Sequence, residues 1–303
     1  MNSPAIQTCG LNYHFGDQKV IENLSLEVNR GSIYGFLGPN GAGKTTTIKI
    51  LLNLLKSPKD TVFVFGRDMN TYRTANLKKI GALVEQPAIY AHMTGKENLL
   101  NRCMLLGLSK NKASEILELV GLGAAAHKKT GQYSLGMKQR LGIGLALLPD
   151  PELLLLDEPT NGLDPNGIIE IRSLMIELAT KHEKTILVSS HLLSEIEKTA
   201  THVGIINKGQ LLFQGTIEDL HLLNKPVLTI ELNNTQAAAQ LLSREGYHIE
   251  ETKADQLTLE YSSAEQSSQI NSLLVQNGFN VSSLHPIRKA LEELFLDITK
   301  TNN

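Results

Sequence analysis

Three features of the sequence point to an α/β fold. Short apolar strand patterns alternate with one-sided helical patterns along most of the chain. Leu153-Leu154-Leu155-Leu156 is apolar at every position, as a parallel strand covered on both faces must be. A glycine-rich turn, Gly38 to Gly43, lies between a strand pattern and a helix pattern.

The elements follow in chain order. Ser32 to Leu37 reads as the strand before the turn, and Ile48, Leu51, Leu52 and Leu55 keep the rhythm of a one-sided helix after it. Thr94 and Glu97 have capping-box spacing and open a helix to about Leu106. Ala113, Ile116, Leu117 and Val120 mark a second helix stopped at Gly121. Ser134 caps a third, with Met137, Leu141, Leu145 and Leu148 on one face and Pro149 at its end. These three helices interrupt the strands and read as an inserted helical subdomain. Leu153 to Leu156 and Thr185 to Ser190 are then buried strands.

From about Lys225 the character changes. Val227 to Leu232 reads as strand, Gln236 to Glu245 as helix, Tyr247 to Thr252 and Gln256 to Tyr261 as strands. A helix over Ala264 to Gln276, a strand from Phe279 and a final helix bearing Leu291, Leu294, Phe295 and Ile298 complete the chain. That order, βαββαβ plus a helix, suggests a small ferredoxin-like module. The expected domains are therefore 1–224, with the helical subdomain at about 87–150, and 225–303.

Length and composition narrow the function classes. The 303 residues are about two domains' worth of chain, with 41% hydrophobic and 20% charged residues. Lys+Arg 29 against Asp+Glu 31 excludes a strongly basic nucleic-acid coat. Two cysteines, Cys9 and Cys103, and no C-x-x-C pair point to a reduced, cytosolic protein without a structural zinc. No apolar run reaches eighteen residues, and Met1-Asn2-Ser3-Pro4 lacks the pattern of a signal peptide, so the expectation is a chain that neither spans a membrane nor is exported.

Three places carry chemistry. Gly38-Pro39-Asn40-Gly41-Ala42-Gly43-Lys44-Thr45 fits G-x-x-x-x-G-K-[ST] in strand–turn–helix context. Its glycines let successive N–H groups wrap a phosphate, and the following helix adds its positive end. Lys44 is expected to reach the β/γ-phosphates and the Thr45 hydroxyl to hold Mg²⁺. Asp157 ends the four-leucine strand, placed to bind Mg²⁺ directly or through water, and Glu158 follows it as an acceptor for the proton of an attacking water. His191, just past Ser190, is a candidate donor to the γ-phosphate. Taken singly, the acids and the histidine read as strand-end residues; together they read as a site.

In this order the motifs resemble those of the nucleotide-binding subunits of ABC transporters. Gly38, Pro39, Asn40, Gly41, Ala42, Gly43, Lys44, Thr45 and Thr46 match the family's Walker A loop. Leu153 to Glu158 matches its Walker B strand, Asn161-Gly162-Leu163-Asp164 resembles the D-loop, and His191 sits at the switch histidine. Tyr133-Ser134-Leu135-Gly136-Met137-Lys138-Gln139-Arg140 is similar to the LSGGQ signature and its basic run, with Leu135 and Met137 departing from it. Phe15 matches the aromatic that stacks on adenine, with Tyr13 close by in sequence. Asp60 stands where the family often has a turn glycine. At the Q-loop, Glu85 falls at the usual glutamine position, with Gln86 one residue away as the alternative. These departures and the C-terminal module look like the bacitracin-export and lantibiotic-immunity ATPases.

The resemblance implies a P-loop NTPase (ABC ATPase) core with ATP and Mg²⁺ as cofactors. It implies that Lys44, Glu158 and His191 act in hydrolysis, and that Thr45, Asp157 and Glu85 meet the metal. Phe15, Glu85, Ser134, Gly136 and Asp164 join the Walker A residues as nucleotide contacts, the signature facing the Walker A loop of a second copy. The implied partners are that second copy and an integral membrane permease, with no nucleic acid expected. The implied place is the cytoplasmic face of the membrane, and the implied cargo an antimicrobial peptide. The rivals are a non-peptide cargo, or a soluble ATPase of the same family acting on ribosomes or nucleic acid. Such ATPases usually carry two cassettes or a long coiled coil, and this chain has one cassette and no sustained heptads.

Overall fold

A computed structural model describes residues 3–224 and 226–288. The chain begins with short strands: β1 (Ile6–Thr8), β2 (Leu11–Phe15), β3 (Gln18–Leu24), β4 (Glu27–Val28) and β5 (Ile33–Leu37). Helix α1 (Lys44–Leu51), β6 (Val62–Val64), β7 (Arg67–Asp68), α2 (Arg73–Leu77) and β8 (Ile80–Leu83) follow. Helices α3 (Gly95–Leu106), α4 (Asn111–Leu119) and α5 (Leu135–Leu147) lie between β8 and β9 (Leu153–Asp157). Then come α6 (Pro165–Thr180), β10 (Thr185–Ser190), α7 (Leu193–Glu197), β11 (His202–Asn207), β12 (Gln210–Thr216) and α8 (Ile217–Leu223).

The central sheet has the order β12-β11-β5-β10-β9-β8. Neighbours from β11 to β8 run parallel, and β12 closes one edge antiparallel. Leu153 to Leu156 are buried on both faces, which is why that strand carries no polar alternation. Leu153 and Leu155 share a core with Ile48 and Leu51 of α1 and with Ile6, Leu11 and Ile21 of the early strands. Those early strands form an antiparallel sheet, β4-β1-β6-β7, and a separate β2-β3 pair. Sequence pattern alone assigns none of them: the strands of the four-stranded sheet span two or three residues, too few to show alternation, and the longer β2-β3 pair is interrupted by bulges.

Local signals decide several boundaries. The Thr94 hydroxyl accepts from Glu97 N at 3.1 Å and the Glu97 carboxylate accepts from Thr94 N at 2.7 Å, so the capping box opens α3. Helix α1 ends at Leu51, earlier than the Leu55 periodicity suggests, since Asn53 turns left-handed with φ 52°. Leu52 and Leu55 still pack on the core from beyond the helix. Asp60 has φ 58°, the conformation a turn glycine would take.

The chain divides into two compact units, Met1–Ile217 and Glu218–Asn303. The second unit contains β13 (Pro226–Leu232), α9 (Thr235–Arg244), β14 (Ile249–Thr252), β15 (Gln256–Glu260), α10 (Ala264–Gln276) and β16 (Val281–Arg288). Its antiparallel sheet has the order β14-β15-β13-β16, a split-βαβ arrangement. Leu228, Ile230 and Leu232 of β13 meet Ala238 and Leu242 of α9 and Ile270 and Leu274 of α10 in its core. The expected final helix, with Leu291, Leu294, Phe295 and Ile298, lies outside the described residues.

Candidate functional site

Sheet order brings the site together. In β5, β10 and β9, which lie side by side, Ser190 is level with Leu37 and Ser189 with Asp157. The glycine turn after Leu37, the acids at the end of β9 and His191 after β10 therefore emerge at one edge, the carboxyl ends of the strands, where open α/β sheets bind ligands.

The turn delivers Lys44 as the first residue of α1. Gly43 caps that helix with φ 109°, where a Cβ would press on Ile21 Cδ1 at 2.7 Å, so glycine is required for both backbone and space. Lys44 is 6% exposed, and its Nζ donates to Gly38 O at 2.7 Å and lies 3.1 Å from Glu158 Oε1. The first N–H groups of α1 have no helical acceptor of their own, so this end of the helix attracts anions.

Asp157 is 3% exposed. Its Oδ2 accepts from the Thr45 hydroxyl at 2.8 Å and its Oδ1 from the Ser189 hydroxyl at 2.7 Å. Glu158 turns out of the strand with φ 48°, its N–H donating to Ser189 Oγ at 2.9 Å. One carboxylate oxygen faces Lys44 and the other lies 2.8 Å from His191 Nδ1. Ser189, which sequence pattern does not single out, is thus a bracket for both acids; no motif marks it, since only strand pairing brings it there.

A pocket of about 280 Å³ is lined by Asn40 to Thr46, by Glu158 and Asn161, and by Val20 of β3. Val20 carries no sequence signal either, because β3 reaches the turn only through tertiary packing. Thr45 lines this pocket, and its hydroxyl is bonded to the Asp157 carboxylate behind it. Together they are a hard oxygen donor set that suits Mg²⁺, which typically takes one or two protein ligands and completes its shell with phosphate and water. Among the described residues no cluster of three or more His, Cys, Asp or Glu forms a self-sufficient metal cage.

The other expected residues sit elsewhere. Phe15, half exposed at the end of β2, stacks edge-on against Tyr13 with centroids 5.1 Å apart. Glu85 has φ 60° and pairs with Lys49 of α1 at 2.6 Å. Gln86 beside it is exposed. The Ser134 hydroxyl accepts from Met137 N at 3.2 Å and caps α5, with Gly136 in its first turn. Tyr133 anchors that turn by donating to Ala125 O at 2.7 Å, and burial raises its hydroxyl above the usual range, so it stays a donor. Asp164 caps α6 by accepting from Gly167 N at 3.1 Å. None of these side chains lines the pocket around Lys44.

The family model described as ABC transporter matches residues 21–161, and a model described as an AAA domain, putative AbiEii toxin, matches 129–197. The chain is 43% identical over 298 residues, 98% of this chain and 97% of the other, to the bacitracin transport ATP-binding protein BcrA of Bacillus licheniformis. It is 38% identical to the protein of the same name from Enterococcus faecalis, over 96% of this chain and 94% of that one. The lantibiotic transport ATP-binding protein SrtF of Streptococcus pyogenes is 39% identical over 66% of this chain and 86% of its own length. Among solved structures, an ATP-binding subunit of an ABC transporter superposes with TM-score 0.64 at 28% identity, covering 72% of this chain and 92% of that one. The fold is also that of cbiO1 from Clostridium perfringens, part of the ABC transporter complex cbiONQ, with TM-score 0.67 at 21% identity over 80% of this chain and 96% of that one. With a glycine turn, an adjacent acid pair and a histidine joined at one sheet edge, and with relatives matched over nearly its whole length, the chain belongs to the ABC transporter ATP-binding proteins.

Proposed function

We propose that this ATPase subunit powers the export of an antimicrobial peptide of bacitracin or lantibiotic type, conferring immunity or resistance. Similarity to two bacitracin transport proteins over nearly the full chain carries the cargo class. The names of these relatives favour transport over action on ribosomes or nucleic acid.

In this reading Lys44 binds the β/γ-phosphates and Glu158 takes the proton of the attacking water while His191 steadies its carboxylate. Support comes from Glu158 standing between Lys44 and His191 at the wall of the pocket. Thr45 and Asp157 would hold Mg²⁺, which would screen the phosphate charge when bound. Glu85 follows β8 two residues after Leu83, and Leu83 is level with Leu156, the residue before Asp157 on the neighbouring strand. That placement supports a role for Glu85 toward the metal, with release from Lys49 as its cost.

Two copies would close on two ATP molecules, each offering Ser134, Gly136 and Asp164 to the other's pocket. Support is that these residues line no part of their own phosphate pocket while Ser134 sits at a helix N-terminus. Phe15 is proposed to stack on adenine, its exposed ring being free to do so. The subunit would bind a permease at the cytoplasmic face, and among the described residues no helix is long and apolar enough to cross a membrane. Residues 1–224 would form the nucleotide-binding domain and 225–303 an accessory one.

The test is Glu158→Gln in the intact transporter. ATP binding should persist while hydrolysis falls by about 10²–10⁴-fold, the range for a positioned acid–base group, and peptide resistance is lost with it. Hydrolysis near the wild-type rate would remove Glu158 from this role, and normal peptide sensitivity in a strain lacking the subunit would remove the cargo.

A further inference from the structure

We infer that Thr160 and Glu195 form a positioning clasp that holds Glu158 and His191 in register for hydrolysis, an inference that rests on the roles proposed above for those two residues. The Thr160 hydroxyl donates to Oε2 of Glu195. Thr160 lies two residues after Glu158, and Glu195 four residues after His191, so this single hydrogen bond joins the two segments that carry the catalytic pair.

Each half of the clasp is itself fixed. Thr160 is 9% exposed. Glu195 sits in the first turn of α7, where a carboxylate is favoured by the helix dipole. Helix α7 is seated against the sheet because Gly35 has no side chain: a Cβ there would overlap Ile196, the residue after Glu195. Glycine at position 35 of β5 therefore sets the depth at which Glu195 meets Thr160.

The need for such a clasp follows from the local geometry. Glu158 is not held by regular structure, for its φ of 48° takes it out of β9. His191 lies in the bend between β10 and α7. Their 2.8 Å contact thus joins two irregular segments. The Glu158 backbone is tied to Ser189 and its carboxylate to Lys44, and the Thr160–Glu195 bond adds a tie between the stretch after Glu158 and the helix after His191. Behind the contact is a cavity of about 110 Å³ to which Glu158, Thr160, His191 and Glu195 all contribute, which leaves room for movement. Neither Thr160 nor Glu195 lines the phosphate pocket. The clasp is therefore expected to act on turnover and not on nucleotide affinity.

The experiment measures kcat, KM and equilibrium ATP binding of the full-length protein, with thermal melts to establish folding. Thr160→Val, which replaces the hydroxyl by a methyl, and Glu195→Ala should each lower kcat by about 10- to 100-fold, the scale for a displaced catalytic group. ATP affinity should stay within twofold. Thr160→Ser, which restores the donor, should recover most of kcat, and the double variant Thr160→Val/Glu195→Ala should fall no further than either single change. If Thr160→Val does not fold, Glu195→Gln serves in its place, with at least a threefold loss of kcat at unchanged affinity expected. Turnover within twofold of wild type in the folded variants, or a Thr160→Ser protein as slow as Thr160→Val, overturns the clasp. Loss of ATP affinity in step with kcat also overturns it. Glu158→Gln is assayed alongside. Near-normal hydrolysis there overturns the underlying reading together with the clasp, whereas an inactive Glu158→Gln with normal clasp variants overturns the clasp alone.

Discussion

The ammonium of Lys44 and the carboxylate of Glu158 stand 3.1 Å apart in a site where Lys44 is 6% exposed and Glu158 20%. The same carboxylate reaches His191 with its other oxygen. Lys44 therefore has a protein anion as partner at the place where a phosphate would use it.

If Lys44 binds phosphate as proposed, Glu158 competes with it for that ammonium, and removing the competitor should favour the nucleotide. Glu158→Gln is expected to bind ATP about two- to tenfold more tightly, where tenfold corresponds to roughly 1.4 kcal/mol. Equilibrium titration with fluorescent ATP checks it; weaker binding in the variant would show that Glu158 helps to hold the nucleotide.

Gly38 and Gly136 make opposite predictions although both belong to glycine motifs. A Cβ on Gly38 would fall on the backbone oxygen of Ile206, which cannot move aside cheaply. Gly38→Ala should therefore destabilise the protein by roughly 1–3 kcal/mol, as overpacking does, and lose ATP binding. At Gly136 the nearest atom to a Cβ is Gly167 Cα at 3.8 Å, and the residue lies in a helix. Gly136→Ala should melt at the wild-type temperature or slightly above it, since alanine is the better helix former. Thermal melts of the two variants separate these outcomes.

Asp150 supplies a pH-dependent increment of stability. The hydrogen bond from Lys184 Nζ at 2.7 Å holds its carboxyl below the usual aspartate range, against a smaller opposing effect of burial. A depressed folded-state pKa stabilises above the unfolded value, about 3.9, and the benefit is lost as pH falls through the folded one. Asp150 has φ 53°, which asparagine tolerates equally, so Asp150→Asn isolates the charge. The side chain is 75% exposed, so screening keeps the effect small, about 1 kcal/mol or less. The variant should melt below wild type at pH 7 and converge with it at acid pH; a constant gap would show that the charge is not the cause.

Glu85 and Gln86 can be told apart by transport. Glu85 is 62% exposed and paired with Lys49, so its loss should change stability by about 1 kcal/mol or less. Glu85→Ala is expected to impair peptide resistance far more than ATP binding, with Gln86→Ala nearly silent. The reverse ranking in resistance assays would assign the Q-loop position to Gln86.

The motifs that are legible in the sequence are those whose geometry is carried by consecutive residues. The turn from Gly38 to Thr45 brings its own φ-permissive glycines and its own helix N-terminus, and the Thr94–Glu97 box closes within one turn. The four leucines before Asp157 announce a strand covered on both faces, because burial leaves no position for a polar residue. Where signals are short or interrupted they mislead: the apolar rhythm through Leu55 outlasts α1, whose end is set by the left-handed turn at Asn53.

The α/β class, the glycine turn with its lysine and the identity of the acids and histidine are legible without coordinates, because all are properties of local pattern and residue chemistry. Which of these residues meet is a matter of three-dimensional packing. Ser189 brackets Asp157 and Glu158 because β10 pairs with β9 in one register, and a one-residue slip would turn it to the opposite face. Thr160 reaches Glu195 across 35 positions of chain because Gly35 lets α7 settle onto β5. Strand order, register and the depth of helix packing are set by contacts among distant residues, and no local spacing encodes them.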